Sequence, residues 1–248
     1  MLKKLIAFDV DNTLSPSRSK IDPEMAELLK ELLKHKQVAI ITGEAFVDIE
    51  KQVLTEIGRN DERNKNLILL PTNGGGLFTF TGDWQEISAH KFTPAEKEKI
   101  IRAIKEVDQA DPTLCSNISY GAEIQDRGAE ITYAALGKDA PLGLKEDWDP
   151  NFKKRIILQQ QLEAKLPEFE VKIGGKTSID ITPKGLDKAY GIRKLLELLN
   201  LDMAEILFVG DSVYEHGNDY PVKQMGIETV AVSNPEETKA LIRQLLKR

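Results

Sequence analysis

Residues 5–14 read LIAFDVDNTL, in which four apolar residues lead into two aspartates separated by one valine. An apolar run of this length is typical of a parallel strand buried on both faces. Ligands of open parallel sheets bind beyond the carboxyl ends of the strands, so we expect Asp9 and Asp11 at a ligand-binding edge. Two carboxylates so close repel each other unless a cation lies between them, and oxygen ligands favour Mg²⁺. A strand end with two solvated acids is the alternative for this stretch alone.

The composition indicates a folded globular protein. The chain has 248 residues, 41% of them hydrophobic, which is enough for a sizeable core. Its 34 basic and 40 acidic side chains give a net charge of -6, so we expect neither nucleic acid nor a membrane surface as a partner. Cys115 is the single cysteine, which excludes an intrachain disulfide, and we see no apolar run of membrane-spanning length. A cytoplasmic protein is the expectation.

Both ends of the chain predict one α/β layer with a parallel, Rossmann-like sheet. The short apolar runs that read as buried strands are residues 5–8, 38–41, 67–70, 206–209 and 229–232. Helix signals lie between them, for example Asp22 followed by Pro23 and then leucines at helical spacing. A second helix is expected over residues 185–200 and a last one from Pro235 onward.

The middle of the chain predicts an inserted α+β domain. Residues 87–183 carry strand-like segments at 118–124 and 129–136, two more near Val171 and Ile179, and helices between them. Runs of strands mixed with helices in this way differ from the regular alternation of the two ends. We therefore predict a core domain formed by residues 1–84 and 186–248, and an inserted domain over residues 85–185.

Polar residues at further strand ends strengthen the prediction of a site. Thr42 follows the second strand, and its hydroxyl could bind a phosphoryl oxygen. Lys188 lies at the start of the helix after the inserted domain, and Asp211 and Asp219 follow another strand. Each of these features alone has an ordinary explanation as a turn or a solvated side chain. All of them in order, each at a strand end or helix start, favour one phosphate-handling site with a carboxylate nucleophile.

These motifs resemble the haloacid dehalogenase superfamily of phosphotransferases, and the resemblance covers essentially the whole chain. It implies an aspartyl-phosphate intermediate, a Mg²⁺ ion, and a type IIB cap formed by the inserted domain that closes over the site and carries substrate specificity. The residues that match the motifs are Asp9 as nucleophile, Asp11 as general acid/base, and Thr42 and Lys188 as phosphoryl ligands. Around the metal the resemblance implies Asp9, Asp211, the Val10 or Asp11 carbonyl region, and Asp219 in support.

Several stretches also resemble the eukaryotic-type phosphomannomutase family. They are residues 9–18, 173–180, 185–188 and 210–219. The resemblance implies Arg18, Arg127 and Lys138 as phosphate-binding residues, with Lys145 as a weaker candidate, and Ser178 and Asp180 for sugar hydroxyls. The chain differs from that family at Asn12, where glycine is expected, at Thr42-Gly43-Glu44, which replaces a Gly-Gly-Ser turn, and at Lys138, where arginine is expected.

Three functional hypotheses follow. The leading one is a Mg²⁺-dependent phosphotransferase of small sugar phosphates, in particular the interconversion of mannose 1-phosphate and mannose 6-phosphate. The family resemblance adds a hexose bisphosphate activator and a homodimer formed through the cap. The second hypothesis is a sugar-phosphate phosphatase, and the third is a regulator that binds a sugar phosphate without turnover. The aspartate pair argues against the third, because binding alone needs neither a nucleophile nor a proton shuttle.

Overall fold

The computed structural model of the chain describes residues 3–111, 114 and 118–247, so that Cys115 lies outside the described residues. The chain divides into two compact units, which are Met1–Ala89 with Leu186–Arg248, and His90–Gly185. None of the helices formed by the described residues is long and apolar enough to cross a membrane.

The strands and helices are numbered in chain order. The strands are β1 (Leu5–Phe8), β2 (Gln37–Ile41), β3 (Leu67–Leu70), β4 (Gly76–Phe80), β5 (Trp84–Ala89), β6 (Ile124–Asp126), β7 (Ile131–Ala134), β8 (Phe169–Ile173), β9 (Ser178–Pro183), β10 (Ile206–Gly210) and β11 (Glu228–Ala231). The α-helices are α1 (Pro23–Leu32), α2 (Phe46–Ile49), α3 (Thr55–Ile57), α4 (Pro94–Ala110), α5 (Leu142–Trp148), α6 (Lys153–Lys165), α7 (Lys188–Leu199), α8 (Tyr220–Gln224) and α9 (Pro235–Leu246). A π-helical segment, Glu50–Leu54, joins α2 to α3.

The first unit contains a seven-stranded sheet in the order β11-β10-β1-β2-β3-β4-β5. The strands from β11 to β3 are parallel, whereas β4 and β5 are antiparallel to their neighbours. β1 is buried on both faces, because Ile6 and Phe8 pack in a core with α1 and α9 while Leu5 and Ala7 pack in a second core with α7. The predicted α/β class with a mainly parallel sheet is confirmed.

The predicted boundary after residue 84 differs from the structure. Residues 85–89 belong to β5, whose Trp84 pairs with Phe80 of β4 in the sheet of the first unit. Trp84 is buried in the core beside Phe80, and its Nε1 donates a hydrogen bond to the Arg59 carbonyl oxygen at 3.1 Å. This strand was missed because every residue after Trp84 is exposed and most of them are polar, so that the segment lacks the long apolar run of β1.

The second unit contains an antiparallel four-stranded sheet in the order β6-β7-β9-β8. Alternate residues of β7 and β9, among them Tyr133 and Ile179, pack in a core with α4 and α6. Thr132 and Asp180 lie in register on the opposite face, which is polar. We predicted the first strand over residues 118–124, but β6 begins at Ile124. Residues 118–122 form a loop, in which Gly121 has a φ of 80° that strands do not adopt.

Candidate active site

The carboxyl ends of β1 and β10 bring two of the predicted aspartates side by side. The strands are parallel neighbours with Phe8 opposite Val209, and the Asp9 N–H donates to the Val209 carbonyl oxygen at 3.0 Å. Asp9 is 3% exposed, whereas Asp211, which follows the end of β10, is half-buried. The parallel pairing therefore places both carboxylates at one edge of the sheet, as the sequence predicted.

Lys188 reaches this edge from the start of α7. The Asp187 carboxylate caps the helix by accepting from the Tyr190 N–H at 2.8 Å, so that Lys188 is the first helical residue. Its Nζ donates to Asp9 Oδ1 and to Asp219 Oδ1, both at 2.6 Å, and its side chain is completely buried. Two carboxylates and one ammonium thus form a buried charge cluster.

A glycine allows α7 to approach so closely. A Cβ on Gly191 would lie 2.6 Å from Ile41 Cδ1 and 2.8 Å from the Asn73 carbonyl oxygen. Ile41 is the last residue of β2, and Asn73 belongs to the Thr72–Gly74 turn that follows β3. A larger residue at position 191 would displace the start of the helix, and with it Lys188, from the sheet edge.

The charges in the cluster shift each other's pKa. Burial raises the pKa of Asp9 to about 6, with the negative charge of Asp219 adding to the rise and Lys188 opposing it. Burial alone would lower the pKa of Lys188, but Asp9 and Asp219 together outweigh it and raise that pKa. The ammonium therefore stays protonated and keeps two carboxylates at one buried place.

Asp219 is held tightly in the cluster. Its Oδ1 accepts from Lys188, and its Oδ2 accepts from the Ser212 N–H at 3.0 Å. A Cβ on Gly210 would lie 2.2 Å from Asp219 Oδ2, so only glycine fits at the end of β10. Asp219 thus orients the lysine and the loop that follows Asp211.

Three of these carboxylates could hold a metal ion. One oxygen atom from each of Asp9, Asp211 and Asp219 lies within 4.8 Å of the others. Oxygen donors without histidine or cysteine fit a hard divalent cation such as Mg²⁺, which matches the predicted chemistry. Asn12 adds a contact by donating from Nδ2 to Asp211 Oδ2 at 3.2 Å. Its φ is 55°, which explains how asparagine can stand where glycine was expected.

The Asp11 carboxylate lies outside this group, and the family resemblance had placed Asp11 at the metal through the Val10 or Asp11 carbonyl region. Its Oδ1 accepts from the Arg18 N–H at 2.6 Å, and a β-bridge joins Asp11 to Ser15. The carboxylate is therefore oriented by the loop that follows β1. That arrangement suits a proton carrier beside the nucleophile better than a metal ligand.

Thr42 lies where the sequence predicted it, directly after β2, which pairs with β1. It is 2% exposed, its Oγ1 accepts from the Glu44 N–H at 3.3 Å, and its carbonyl oxygen accepts from the Asn73 N–H at 2.8 Å. The hydroxyl hydrogen can therefore be donated to a ligand. Glu44, to which no motif gave a role, has a pKa raised by burial and by the neighbouring charge of Asp11.

Arg18 lies in the same loop as Asp11, with a φ of 54°, and its side chain is exposed. Its positive charge favours the ionised form of Glu44. The structure thus brings Asp9, Lys188, Asp211 and Asp219 together, and Arg18 lies in the loop that orients the Asp11 carboxylate.

The predicted residues of the second unit gather mainly on the polar face of its sheet. Ser178 Oγ accepts from the Gly175 N–H at 2.8 Å, and Asp180 Oδ1 lies 2.9 Å from Thr132 Oγ1. Arg127 Nη1 donates to Glu130 Oε1 at 2.8 Å. Lys138 follows β7, its side chain is half exposed, and its carbonyl oxygen accepts from Lys145 Nζ at 2.8 Å.

Glu130 is the residue of this face that the sequence analysis missed. It is 6% exposed, and burial together with the charge of Asp180 raises its pKa to about 7, against the opposing effect of Arg127. The alternation of residues 130–133 put Glu130 and Thr132 on one face, which was the available signal. An acid beside a basic turn is usually solvated, and only the folded structure shows that this one is buried.

The raised pKa of Glu130 predicts a loss of stability as the pH rises. Between pH 4.5 and about 7 the folded state keeps a proton on Glu130 that the unfolded state has released, so unfolding becomes easier through this window. Glu130→Gln removes the titration. From pH 4.5 to about 7, we expect the free energy of unfolding of the wild type to fall by about 3 kcal/mol relative to that of Glu130→Gln. Urea unfolding at several pH values measures the difference, and parallel pH curves for the two proteins would contradict the assignment.

Comparisons with known proteins point to one family. The family model described as eukaryotic phosphomannomutase matches residues 25–248. A phosphomannomutase of Spinacia oleracea is 29% identical over 240 residues, which cover 93% of this chain and 91% of that protein. A phosphomannomutase of Schizosaccharomyces pombe is 28% identical over 250 residues, covering 98% and 94% of the two chains.

Solved structures show the same fold. A haloacid dehalogenase-like hydrolase from Bacteroides thetaiotaomicron has a TM-score of 0.68 at 17% identity, covering 98% of this chain and 99% of that one. The IMP-nucleotidase of Plasmodium falciparum has a TM-score of 0.71 at 19% identity, covering 99% of this chain and 61% of that one. At these identities the likeness concerns the fold alone.

Proposed function

The chain belongs to the eukaryotic phosphomannomutase family, and from that membership we propose that it interconverts mannose 1-phosphate and mannose 6-phosphate through an aspartyl-phosphate on Asp9. The observation that carries the proposal is Lys188, buried with its Nζ 2.6 Å from both Asp9 Oδ1 and Asp219 Oδ1. The fold alone does not require a desolvated lysine between two carboxylates, because burying such charged groups costs desolvation free energy. A phosphotransferase needs it to keep the nucleophile ionised and to meet phosphoryl charge.

In the proposed reaction, the Asp9 carboxylate attacks the phosphorus atom of a sugar bisphosphate. An Asp9 O–P bond forms, the ester P–O bond breaks, and Asp11 gives a proton to the departing sugar oxygen. Asp11 then takes the proton of the hydroxyl that receives the phosphoryl group in the reverse step. Transfer from Asp9 to the free hydroxyl of a monophosphate gives the bisphosphate, and return of the phosphoryl group at its other end to Asp9 leaves the isomeric monophosphate.

The surrounding residues stabilise the phosphoryl group. Lys188 donates to it from one side, and the buried Thr42 hydroxyl can donate from the end of β2. Asp9 and Asp211 would hold a Mg²⁺ ion, with Asp219 supporting them, and the ion when bound would supply positive charge to the phosphoryl oxygens. Asp219 keeps Lys188 in place through the bond between Oδ1 and Nζ.

We assign recognition of the rest of the substrate to the polar face of the second unit. Arg127 and Lys138 supply positive charge for a second phosphate, and Ser178 and Asp180 supply polar groups for sugar hydroxyls. Arginine can bind phosphate through two N–H groups, whereas lysine offers a single point charge. With Lys138 in place of an arginine, we expect weaker retention of the bisphosphate than in a chain with two arginines.

A sugar-phosphate phosphatase is the second candidate. Thr42-Gly43-Glu44 favours it, because this turn resembles those of ordinary phosphatases of the superfamily and carries a half-buried carboxylate close to Asp11. In that case water, and not a sugar hydroxyl, would accept the phosphoryl group from Asp9.

One assay separates the two activities. Purified protein is given Mg²⁺ and mannose 1-phosphate, with and without a trace of hexose 1,6-bisphosphate, while mannose 6-phosphate and free phosphate are both followed. Isomer formation that depends on the bisphosphate and releases little phosphate supports the mutase. Phosphate release without isomer formation identifies the phosphatase, and neither activity would overturn the substrate assignment.

Mg²⁺ binding can be tested without turnover. We expect Asp211→Asn to weaken Mg²⁺ binding at least about 10-fold, because it removes one charged oxygen ligand from the cluster. The readout is the Mg²⁺ concentration at which the melting temperature rises, since a ligand that binds the folded state raises it. Asp202→Asn, at an exposed cap before β10, is the matched control. Equal Mg²⁺ dependence in both variants would remove Asp211 from the proposed ligand set.

A further inference from the structure

A continuous chain of polar contacts crosses the second unit's sheet, and Glu130 lies in its middle. Arg127 Nη1 donates to Glu130 Oε1 at 2.8 Å, and Thr132 Oγ1 lies 3.1 Å from the same oxygen. Thr132 Oγ1 is also 2.9 Å from Asp180 Oδ1. These polar contacts therefore connect Arg127, the residue assigned to a phosphate, with Asp180, the residue assigned to a sugar hydroxyl.

The hairpin between β6 and β7 does not require this carboxylate. The Arg127 N–H already donates to the Glu130 carbonyl oxygen at 2.8 Å, and the Gly128 N–H donates to Asp126 Oδ1 at 2.9 Å. Gly128 has a φ of 85°, as a tight turn requires. These contacts close the turn without the Glu130 side chain. A neutral residue at position 130 would avoid the cost of burying a carboxylate.

This network of polar contacts has too few donor hydrogen atoms for every contact to be a hydrogen bond when both carboxyl groups are ionised. The Thr132 hydroxyl has one hydrogen, so it can donate to only one of the two carboxylates that flank it. The other contact is a hydrogen bond only if that carboxyl group is itself protonated. A proton on either carboxyl group satisfies both contacts; a proton on Glu130 lets Glu130 donate to Thr132 Oγ1 while Thr132 donates to Asp180 Oδ1. The raised pKa of Glu130 agrees with this arrangement.

We propose that Glu130 is a positioning residue that holds the Arg127 guanidinium for an anionic ligand and, by gaining or losing a proton, sets how much of its positive charge that ligand meets. The proposal rests on the proposed function in assigning Arg127 to a phosphate of the substrate. With Glu130 protonated, the full charge of Arg127 faces the ligand. With Glu130 ionised, the ion pair opposes a dianion, and ligand binding is accompanied by proton uptake.

The charged groups around Glu130 are few among the described residues of the second unit. Arg127 faces it from the turn after β6, and Asp180 faces it from β9. Lys172 of β8 lies in register with Asp180 and pairs with Glu170 at 3.1 Å. Glu130 is the carboxyl group on this face that Arg127 contacts directly, so its proton responds to charge added at Arg127.

The test follows the Arg127 side chain itself in the full-length protein. The Nε–H signals of ¹⁵N-labelled arginine are recorded by NMR, with Arg127→Lys identifying the signal, while inorganic sulfate is added at constant ionic strength. Sulfate remains a dianion from pH 6 to 8, so its own titration does not interfere. We expect sulfate affinity at Arg127 to fall about 10-fold across this range in the wild type.

Two variants and a control separate positioning from a purely structural role. Glu130→Gln keeps an oxygen acceptor for Nη1 but cannot titrate, so its affinity should match the wild type at pH 6 and stay constant to pH 8. Glu130→Leu lacks the acceptor, and its affinity should be about 10-fold weaker than the wild type at pH 6. Asp126→Asn removes a negative charge on the same hairpin but keeps an oxygen that can accept from the Gly128 N–H, so it should preserve the wild-type pH dependence.

The outcomes decide the proposal separately from the proposed function. If Glu130→Gln retains the wild-type pH dependence, or Glu130→Leu binds sulfate like the wild type, the proposal is overturned. If Glu130→Leu does not fold, the comparison of Glu130→Gln with the wild type still decides it. If the expected pattern at Arg127 occurs in a protein that fails to convert mannose phosphates, the proposed function falls and Glu130 keeps its role. If the protein converts mannose phosphates but sulfate does not change the Arg127 signal, the proposed function stands and the role of Glu130 is overturned.

Discussion

Asp9→Asn is expected to reduce turnover of sugar phosphates by at least about 10³-fold, because a carboxamide cannot form the aspartyl-phosphate. The folded structure should persist, since asparagine keeps an oxygen that can accept from Lys188 Nζ and removes a buried negative charge whose desolvation raises the pKa of Asp9. The measurement is turnover together with intact-protein mass, in which hexose 1,6-bisphosphate adds one phosphoryl group to the wild type and none to the variant.

A matched control makes the loss specific to position 9. Asp83→Asn changes an exposed aspartate of the same unit, which pairs with Arg59 Nη1 at 2.9 Å and accepts from the Trp84 N–H. Asparagine can accept both of these hydrogen bonds, so we expect turnover within about 2-fold of the wild type, as is usual for surface substitutions. If Asp9→Asn retained a tenth or more of the wild-type activity, or still gained a phosphoryl group, Asp9 would not be the nucleophile.

Lys188→Met is expected to lower the free energy of unfolding by about 3–5 kcal/mol, because it leaves Asp9 and Asp219 buried together without their cation. The variant should also lose nearly all turnover, since the phosphoryl group loses a donor. The effect on stability depends on pH. Without the lysine the pKa of Asp9 rises further above its value in the unfolded chain, so that the folded variant binds protons which the unfolded variant releases.

The destabilisation should therefore be smaller at pH 5, where a carboxyl of the pair is protonated, than at pH 8. Urea unfolding at the two pH values measures it. Lys194→Met is the control on the same helix, since Lys194 is an exposed residue paired with Glu197 at 3.0 Å, and it should change stability by no more than about 0.5 kcal/mol. Equal effects of the two substitutions, or a Lys188→Met effect independent of pH, would contradict the buried charge cluster.

Local patterns in the sequence predicted most of the first unit. The apolar run before Asp9, the Asp22-Pro23 helix start and the polar residue after each buried strand depend on neighbours only a few residues away. For that reason, β1 and α1 were predicted close to their observed bounds. β5 was assigned to the wrong unit because an edge strand with exposed polar residues lacks this signal.

The chemistry at the edge of the sheet was less fully predictable. Residue types and their order placed Asp9, Thr42, Lys188 and Asp211 at strand ends and a helix start, since the carboxyl ends of parallel strands share one edge. The sequence assigned the Asp11 side chain to proton transfer but did not predict its direction, and the structure turns its carboxylate toward the Arg18 N–H. The direction of a side chain within a loop depends on how the loop closes, which residue order alone does not specify.

The amino-acid order is thus sufficient for the α/β class, the parallel sheet and the identity of the carboxylates that meet at its edge, because strand and helix periodicity are local properties. Folding had to bring together residues distant in sequence before their charges could interact. Lys188 lies 179 positions from Asp9 and 31 from Asp219, yet all three are buried within hydrogen-bonding distance. Glu130 likewise acquires its raised pKa from burial and from Asp180 on another strand. Desolvation and charge proximity act through space, and they arise only when the chain has packed.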